Sequence, residues 1–191
     1  MRKRITLLSV LLLSLAIFLG LYFFDNAESS NKGPVQPVRF SHKIHAGGEN
    51  DQIPCQYCHS FVDVSPNPGI PSVKKCMGCH THIAGRDVEY DFGGTAINIQ
   101  QEIAKVREYW AKKEPIPWNK VNSMPGYVHF NHKRHIKRGI ECAACHGDVA
   151  NMDQVYQVTR LNMGFCITCH TENAKDQEEL TRLKDCLTCH Y

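Results

Sequence analysis

The chain has 191 residues, with 22 Lys and Arg against 19 Asp and Glu and a formal charge of +3, and it carries ten cysteines and eleven histidines. A balance this close to neutral excludes the strongly basic stripe by which proteins grip nucleic acid. The chemistry therefore has to be sought in the cysteines and histidines and in their spacing.

In chain order, the first element is apolar. Arg2, Lys3 and Arg4 precede an uncharged run from Ile5 to Phe24, and about 20 such residues cross a bilayer as a helix. The charge order keeps the start cytoplasmic and sends the rest outward. The run is longer than the apolar region of a cleaved signal, and it ends in Phe23 and Phe24 instead of a small-residue exit. Residues 1–24 are thus predicted to be a retained transmembrane anchor. Residues 25–37, rich in Ser, Asn, Gly and Pro, read as a tether.

Beyond the tether the chain repeats itself. VRFSHKIH at 38–45 returns as VHFNHKRH at 128–135, and each copy is followed by two Cys-x-x-Cys-His pentapeptides, with a fifth at the C-terminus. This divides the chain into a first unit, 38–95, a connecting segment, 96–127, and a second unit, 128–191. In the connector, Ile99, Ile103, Val106 and Trp110 are spaced as one face of a helix over Ala96 to Lys113. The segment EPIPWNKVNSMPGYV at 114–128 holds three prolines and is expected to be extended. Elsewhere the motifs and the Gly and Pro turns leave room only for short helices.

All ten cysteines fall into the five pentapeptides: Cys55 and Cys58, Cys76 and Cys79, Cys142 and Cys145, Cys166 and Cys169, Cys186 and Cys189. This is the attachment signature of c-type haem, with both thiols bonded to the porphyrin and the adjacent histidine on iron. Five c-type haems are expected, with His59, His80, His146, His170 and His190 as proximal ligands. Zinc would join pairs into four-ligand sites, and five pairs cannot be divided by two. A disulfide framework gives no reason for one short spacing repeated five times. About 167 residues follow the apolar run, roughly 33 for each motif, too few for a large side-chain core. The peptide is therefore expected to wrap round the macrocycles as short helices and irregular loops. With ionised propionates counted, the loaded chain carries about −2 when oxidised and about −7 when reduced, so the basic residues serve the propionates and not nucleic acid.

Six further histidines are available: His42, His45, His82, His129, His132 and His135. His42 lies thirteen residues before Cys55 and His132 ten before Cys142, loops long enough to pass round the rim of the local haem. His45 and His135 stand one helical turn further on, and since an iron has one distal place, each is expected to reach a different haem. Met152, fourteen residues before Cys166, is the expected sixth ligand of the fourth haem, with Met163 as the alternative. His82 and His129 read as propionate or surface partners.

The F-[SN]-H-x-x-H unit followed by Cys-x-x-Cys-His resembles the cytochrome c3/c7 class of multihaem cytochromes. IPCQYCHS, IPSVKKCMGCH, PIPWNKV, GYVHFNHKRH, CAACHGDV and LNMGFCITCH, with one N-terminal anchor, are similar to the pentahaem cytochrome c subunit of bacterial alternative complex III. An aromatic often stands in that family where this chain has His129. The resemblance implies a c3/c7-like fold with one N-terminal transmembrane helix in the bacterial inner membrane and a periplasmic haem domain. It implies four bis-histidine haems and one with a methionine. It also implies an iron–sulfur/molybdopterin-like subunit, quinol-binding membrane subunits, and a monohaem cytochrome c or terminal oxidase as partners. The expected function is electron transfer from a quinol-oxidising module, without catalysis by this chain alone. Reduction of a small oxyanion is one alternative and needs an iron with an open position. Direct quinol oxidation by an anchored cytochrome is the other. Replacing Cys55 by Ala is expected to remove one covalent haem, read as a mass loss on the intact protein, and a wild-type mass equal to the bare polypeptide would refute haem attachment.

Overall fold

The computed structural model describes residues 13–15 and 33–191. The predicted anchor therefore lies almost wholly outside the described residues, as does the tether up to residue 32. Among the described residues no helix is long and apolar enough to cross a membrane. The last part of the expected tether is not loose. The Gln36 side chain accepts from the Asn119 backbone N–H at 2.8 Å and donates to its carbonyl at 2.9 Å, while Gln154 donates to the Gly33 carbonyl. A side-chain amide that can give and take one hydrogen bond each fixes an extended strand without a sheet.

From Gly33 onward the structure is a succession of short helices. In chain order they are α1 (His42–Ala46), α2 (Cys55–Cys58), α3 (Val73–His80), α4 (Ile99–Lys112), α5 (His132–Lys137), α6 (Ala143–His146), α7 (Met163–Asn173), α8 (Gln177–Leu183) and α9 (Cys186–Cys189), with a 3-10 turn at Val149–Asn151. Strands β1 (Glu89–Asp91) and β2 (Ala96–Asn98) form an antiparallel hairpin, Tyr90 opposite Ile97. The hairpin was not expected, and it shortens the predicted connector helix by three residues. Its turn rests on Gly93 and Gly94, both at positive φ, and on the Asp91 carboxylate accepting from the Gly94 N–H at 2.7 Å. Helix α4 then starts at Ile99 because Asn98 caps it, its side chain accepting from the Gln101 N–H at 3.0 Å.

The side-chain core is small and joins the first unit to the connector. Val38, Val73, Met77, Val106 and Ile116 are buried together, flanked by Cys76, Tyr109 and Trp118. Val106 of the predicted stripe is its centre in α4, whereas Trp110 is 46% exposed and marks the edge. Ile116 enters from the proline-rich segment, which runs without regular structure across α3 and α4. Arg107 reaches from α4 to the end of α3, giving two hydrogen bonds to the His80 carbonyl at 2.7 and 2.9 Å. Thus the one long helix braces the one motif helix it packs on.

Among the described residues no large side chain is completely buried. Tyr57, Phe61, Ile70, Ile83, Val158 and Leu187, all close to the pentapeptides in sequence, are each more than about two-fifths exposed. Val106→Ala deletes two buried methyl groups and is expected to destabilise the protein by about 2 kcal/mol, measured by denaturant unfolding of the loaded protein; Val35→Ala, on an exposed side chain, is expected to change it far less.

Candidate haem sites

Each pentapeptide begins a turn of helix, so its two cysteines, three apart, project from one side. Numbering the motifs as sites 1 to 5 in chain order, the thiols stand in α2, α3, at the start and within α6, in α7 and in α9. All ten are free. Burial foremost raises the thiol pKa of Cys58, Cys76, Cys142, Cys145 and Cys166, and for each of these a thiol of another site adds to the rise.

The histidines meet in pairs. The rings of His45 and His80 have centroids 6.1 Å apart, those of His132 and His146 6.3 Å, and those of His135 and His170 6.1 Å. Two imidazoles sharing one metal, with bonds of about 2.0–2.1 Å and a ring radius of about 1.1 Å on each side, need about 6.2 Å between centroids. That is the spacing found. His42 forms the fourth pair by electrostatics: burial first, then the nearby His59 and His45 rings, lower its pKa to about 4. It is held neutral, the state in which a ring nitrogen can ligate.

The nitrogens left for metal are also defined. His59, His80, His170 and His190 each turn Nδ1 to a backbone carbonyl, of Gly69 at 2.9 Å, Ile83 at 3.1 Å, Leu183 at 3.1 Å and Tyr127 at 3.1 Å. On the opposite rings, His45 uses the Ser41 carbonyl at 2.8 Å, His132 that of Pro66 at 2.9 Å and His135 that of Asn131 at 2.9 Å. A ring that donates from Nδ1 keeps its lone pair on Nε2, the arrangement that orients metal-binding histidines. Among the described residues no group of three or more His, Cys, Asp or Glu gathers to hold a metal ion. The donors come in twos, as the two axial places of a macrocycle require and a zinc cage does not. The residues present therefore fit haem. The cysteines would bind it covalently, the paired imidazoles would hold its iron, and a haem so held would supply one-electron exchange.

The two copies of F-[SN]-H-x-x-H build this geometry in the same way. Phe40 stacks on His45 at 4.4 Å and meets His42 edge-on at 4.9 Å; Phe130 does the same to His135 at 4.4 Å and His132 at 4.8 Å. The second histidine of each helix bonds back to the carbonyl four residues before it, so one short helix aims two rings at two sites. The role of the phenylalanines was visible as a repeated letter. The carbonyls had no sequence signal, since every residue has one.

His135 stands opposite His170, at the site for which Met152 was the expected ligand. The Met152 carbonyl instead accepts from the Lys43 N–H of α1 at 3.1 Å, and the next residue, Asp153, takes hydrogen bonds from Ser41 at 2.5 Å and Tyr90 at 2.7 Å. The fourteen-residue loop was long enough to reach its own site, but its ends were spent on the first unit. His190 of site 5 is left facing no imidazole among the described residues. His82 is exposed, and His129 is stacked on Tyr191 at 4.5 Å.

Residues 128–191 match the protein family described as cytochrome c7 and related cytochrome c. This match covers about a third of the chain. The chain is 27% identical over 198 residues to the multihaem cytochrome c subunit of menaquinone reductase from Nitratidesulfovibrio vulgaris strain Hildenborough, an alignment covering 93% of this chain and 86% of that protein. The part matched by the family begins at Val128, where the second copy of the repeat begins, and takes in sites 3 to 5. Replacing His42 and His45 by Ala, singly and together, tests the pairing: each single variant is expected to show one high-spin ferric haem by EPR and the double variant two, whereas one in the double variant would mean that both rings serve a single iron.

Proposed function

We propose that this cytochrome carries electrons, through five c-type haems, between a quinone-reactive membrane module and periplasmic partners, as a subunit of a respiratory complex in the bacterial inner membrane. The single observation that carries this reading is the pairing of the histidines. Four sites offer an imidazole on each side, and a reductase of small oxyanions needs an open iron position that these pairs would fill. The anchor at 1–24 would hold the haem domain, units 38–95 and 128–191 with their connector 96–127, at the outer face of that membrane.

Alternative complex III is the finer assignment we adopt, on the residues PIPWNKV at 115–121, GYVHFNHKRH at 126–135 and LNMGFCITCH at 161–170. Electrons would then leave quinol through an iron–sulfur/molybdopterin-like subunit and quinol-binding membrane subunits and pass to a monohaem cytochrome c or a terminal oxidase. The relative from N. vulgaris, named for menaquinone reduction, favours a second reading in which the flow runs into the quinone pool. The purified complex discriminates them: quinol-dependent reduction of a cytochrome c supports the first, and donor-dependent reduction of menaquinone without it supports the second. Reduction of nitrite by the loaded chain would refute both.

With His135 at site 4, we assign the one methionine ligand to site 5. Met163 is the donor that the surroundings favour. It lies one turn before Cys166 on α7, on the side where the Cys166 thiol adjoins that of Cys189, and it is 72% exposed with its sulfur unburied by the chain. A thioether raises a haem potential relative to imidazole. Met163→Leu is expected to abolish the near-infrared sulfur-to-iron band and to move one midpoint potential, while Met152→Leu leaves both unchanged; the reverse pattern would return the role to Met152.

A further inference from the structure

The order of the sites along the chain need not be their order in space, and contacts among the described residues bear on this directly. Sites 1 and 2 are joined through α1, whose His42 and His45 both touch Phe40 and turn to His59 and His80. Their thiols also adjoin, Cys58 with Cys79 and Cys76 with Cys58. Sites 3 and 4 are joined in the same way through α5, where His132 and His135 both touch Phe130 and face His146 and His170. The Cys145 thiol lies near Cys169 and Cys166. Site 4 meets site 5 where His170 bonds the Leu183 carbonyl, three residues before Cys186, and where Cys166 adjoins Cys189.

The junction between the halves is the informative contact. The His132 N–H and the His132 ring both bond the Pro66 carbonyl, at 3.1 and 2.9 Å, and the Lys133 N–H bonds the Ser65 carbonyl at 3.2 Å. Ser65 and Pro66 follow directly on site 1. The Cys55 thiol lies near that of Cys142, and the His59 ring near that of His146. Site 1 thus lies against site 3. The hydrogen bonds and ring contact of the Cys76 and His80 side chains and of the His80 carbonyl run instead to Ser72, Ile83, Arg107 and His45, none of them in the second unit.

We propose that the five sites form one line in the order 2, 1, 3, 4, 5, with the Ser65–Pro66 to His132–Lys133 clamp closing the middle joint and sites 2 and 5 as its two ends. This rests on the haem reading of the sites. It means that the fold reverses the first pair, so that an electron entering at either end crosses from one half of the repeat to the other between sites 1 and 3. The clamp also makes His132 a positioning link: the carbonyl that orients this ring belongs to the loop of site 1, so the geometry at site 3 depends on the neighbouring unit.

Two measurements on the loaded full-length protein test it. In the fully reduced, diamagnetic protein, NOE cross-peaks are expected between haem substituents of sites 1 and 3, and none between sites 2 and 3. The haem signals are assigned by their loss in variants such as His45→Ala. In parallel, the double variant Ser65→Cys with Lys133→Cys is expected to form a disulfide on mild oxidation, seen by peptide mapping, while Thr81→Cys with Lys133→Cys forms none. NOE contacts between sites 2 and 3, or a haem-replete protein that crosslinks 81 to 133 and not 65 to 133, would overturn the order. A protein without covalent haem by mass that still crosslinks 65 to 133 would refute the haem reading and leave the clamp standing.

Discussion

The rest of the structure depends on holding imidazole rings in pairs with centroids 6.1–6.3 Å apart, most of them with Nδ1 pinned to a carbonyl. That spacing cannot be met by flexible side chains on flexible loops, because a ring free to turn about χ1 and χ2 would lose conformational entropy each time it ligated. The chain removes this freedom beforehand. Nδ1 of His45, His132 and His135 is tied to the backbone, a phenylalanine stacks on one ring and blocks the other edge-on, and the helix that carries both rings is only five or six residues long. Short helices are marginal in isolation, so α1 and α5 have to be held by their surroundings, and the contacts of Ser41, Lys43 and His132 with distant segments supply that hold.

The same constraint bears on the side-chain core, which gathers Val38 with residues of α3, α4 and the proline-rich segment. Elsewhere, apolar residues near the motifs stay uncovered by the chain. Where the chain does pack, it packs behind site 2, with Arg107 fixing the last carbonyl of the motif helix. The connector between the halves is therefore the stable platform, and the motifs are attached to it and to one another. Ion pairs add little to this. Those found lie on or near the surface, such as Lys112 with Glu108.

Much of the site was legible in the sequence. The repeat marked the histidines that the structure brings together in pairs, and the one-turn spacing of His42 and His45 required two destinations. What sequence could not hold was which destination, because that depends on contacts such as Pro66 to His132 that join residues sixty-six apart. The surroundings of Met152 were illegible for the same reason. Its offset in sequence resembled that of His42, but offset measures reach and not direction, and Asp153 beside it was committed to Ser41 and Tyr90. The hairpin at 89–98 was missed because strands of three residues carry too little alternation to be read.

The repeat also shows how a two-site unit becomes a longer device. Each copy of F-[SN]-H-x-x-H solves the local problem alone, aiming two rings at two sites. Joining two copies requires one further element, a carbonyl from the first unit that orients a ring of the second. Pro66 is suited to this because its φ is fixed and it has no N–H to engage elsewhere, so the carbonyl is offered at a defined place and takes both the N–H and the ring of His132. Coupling the halves through a ligand's own hydrogen bond makes the second unit's site sensitive to the first unit's fold. A duplication whose halves were merely linked by the 96–127 segment would lack that dependence. Site 5 lies outside the scheme: it has no histidine pair of its own, and its His190 borrows the Tyr127 carbonyl at the entrance to the second copy. An appended site with no imidazole opposite it is where a different ligand, and with it a different potential, enters without disturbing the four that the repeat had already built.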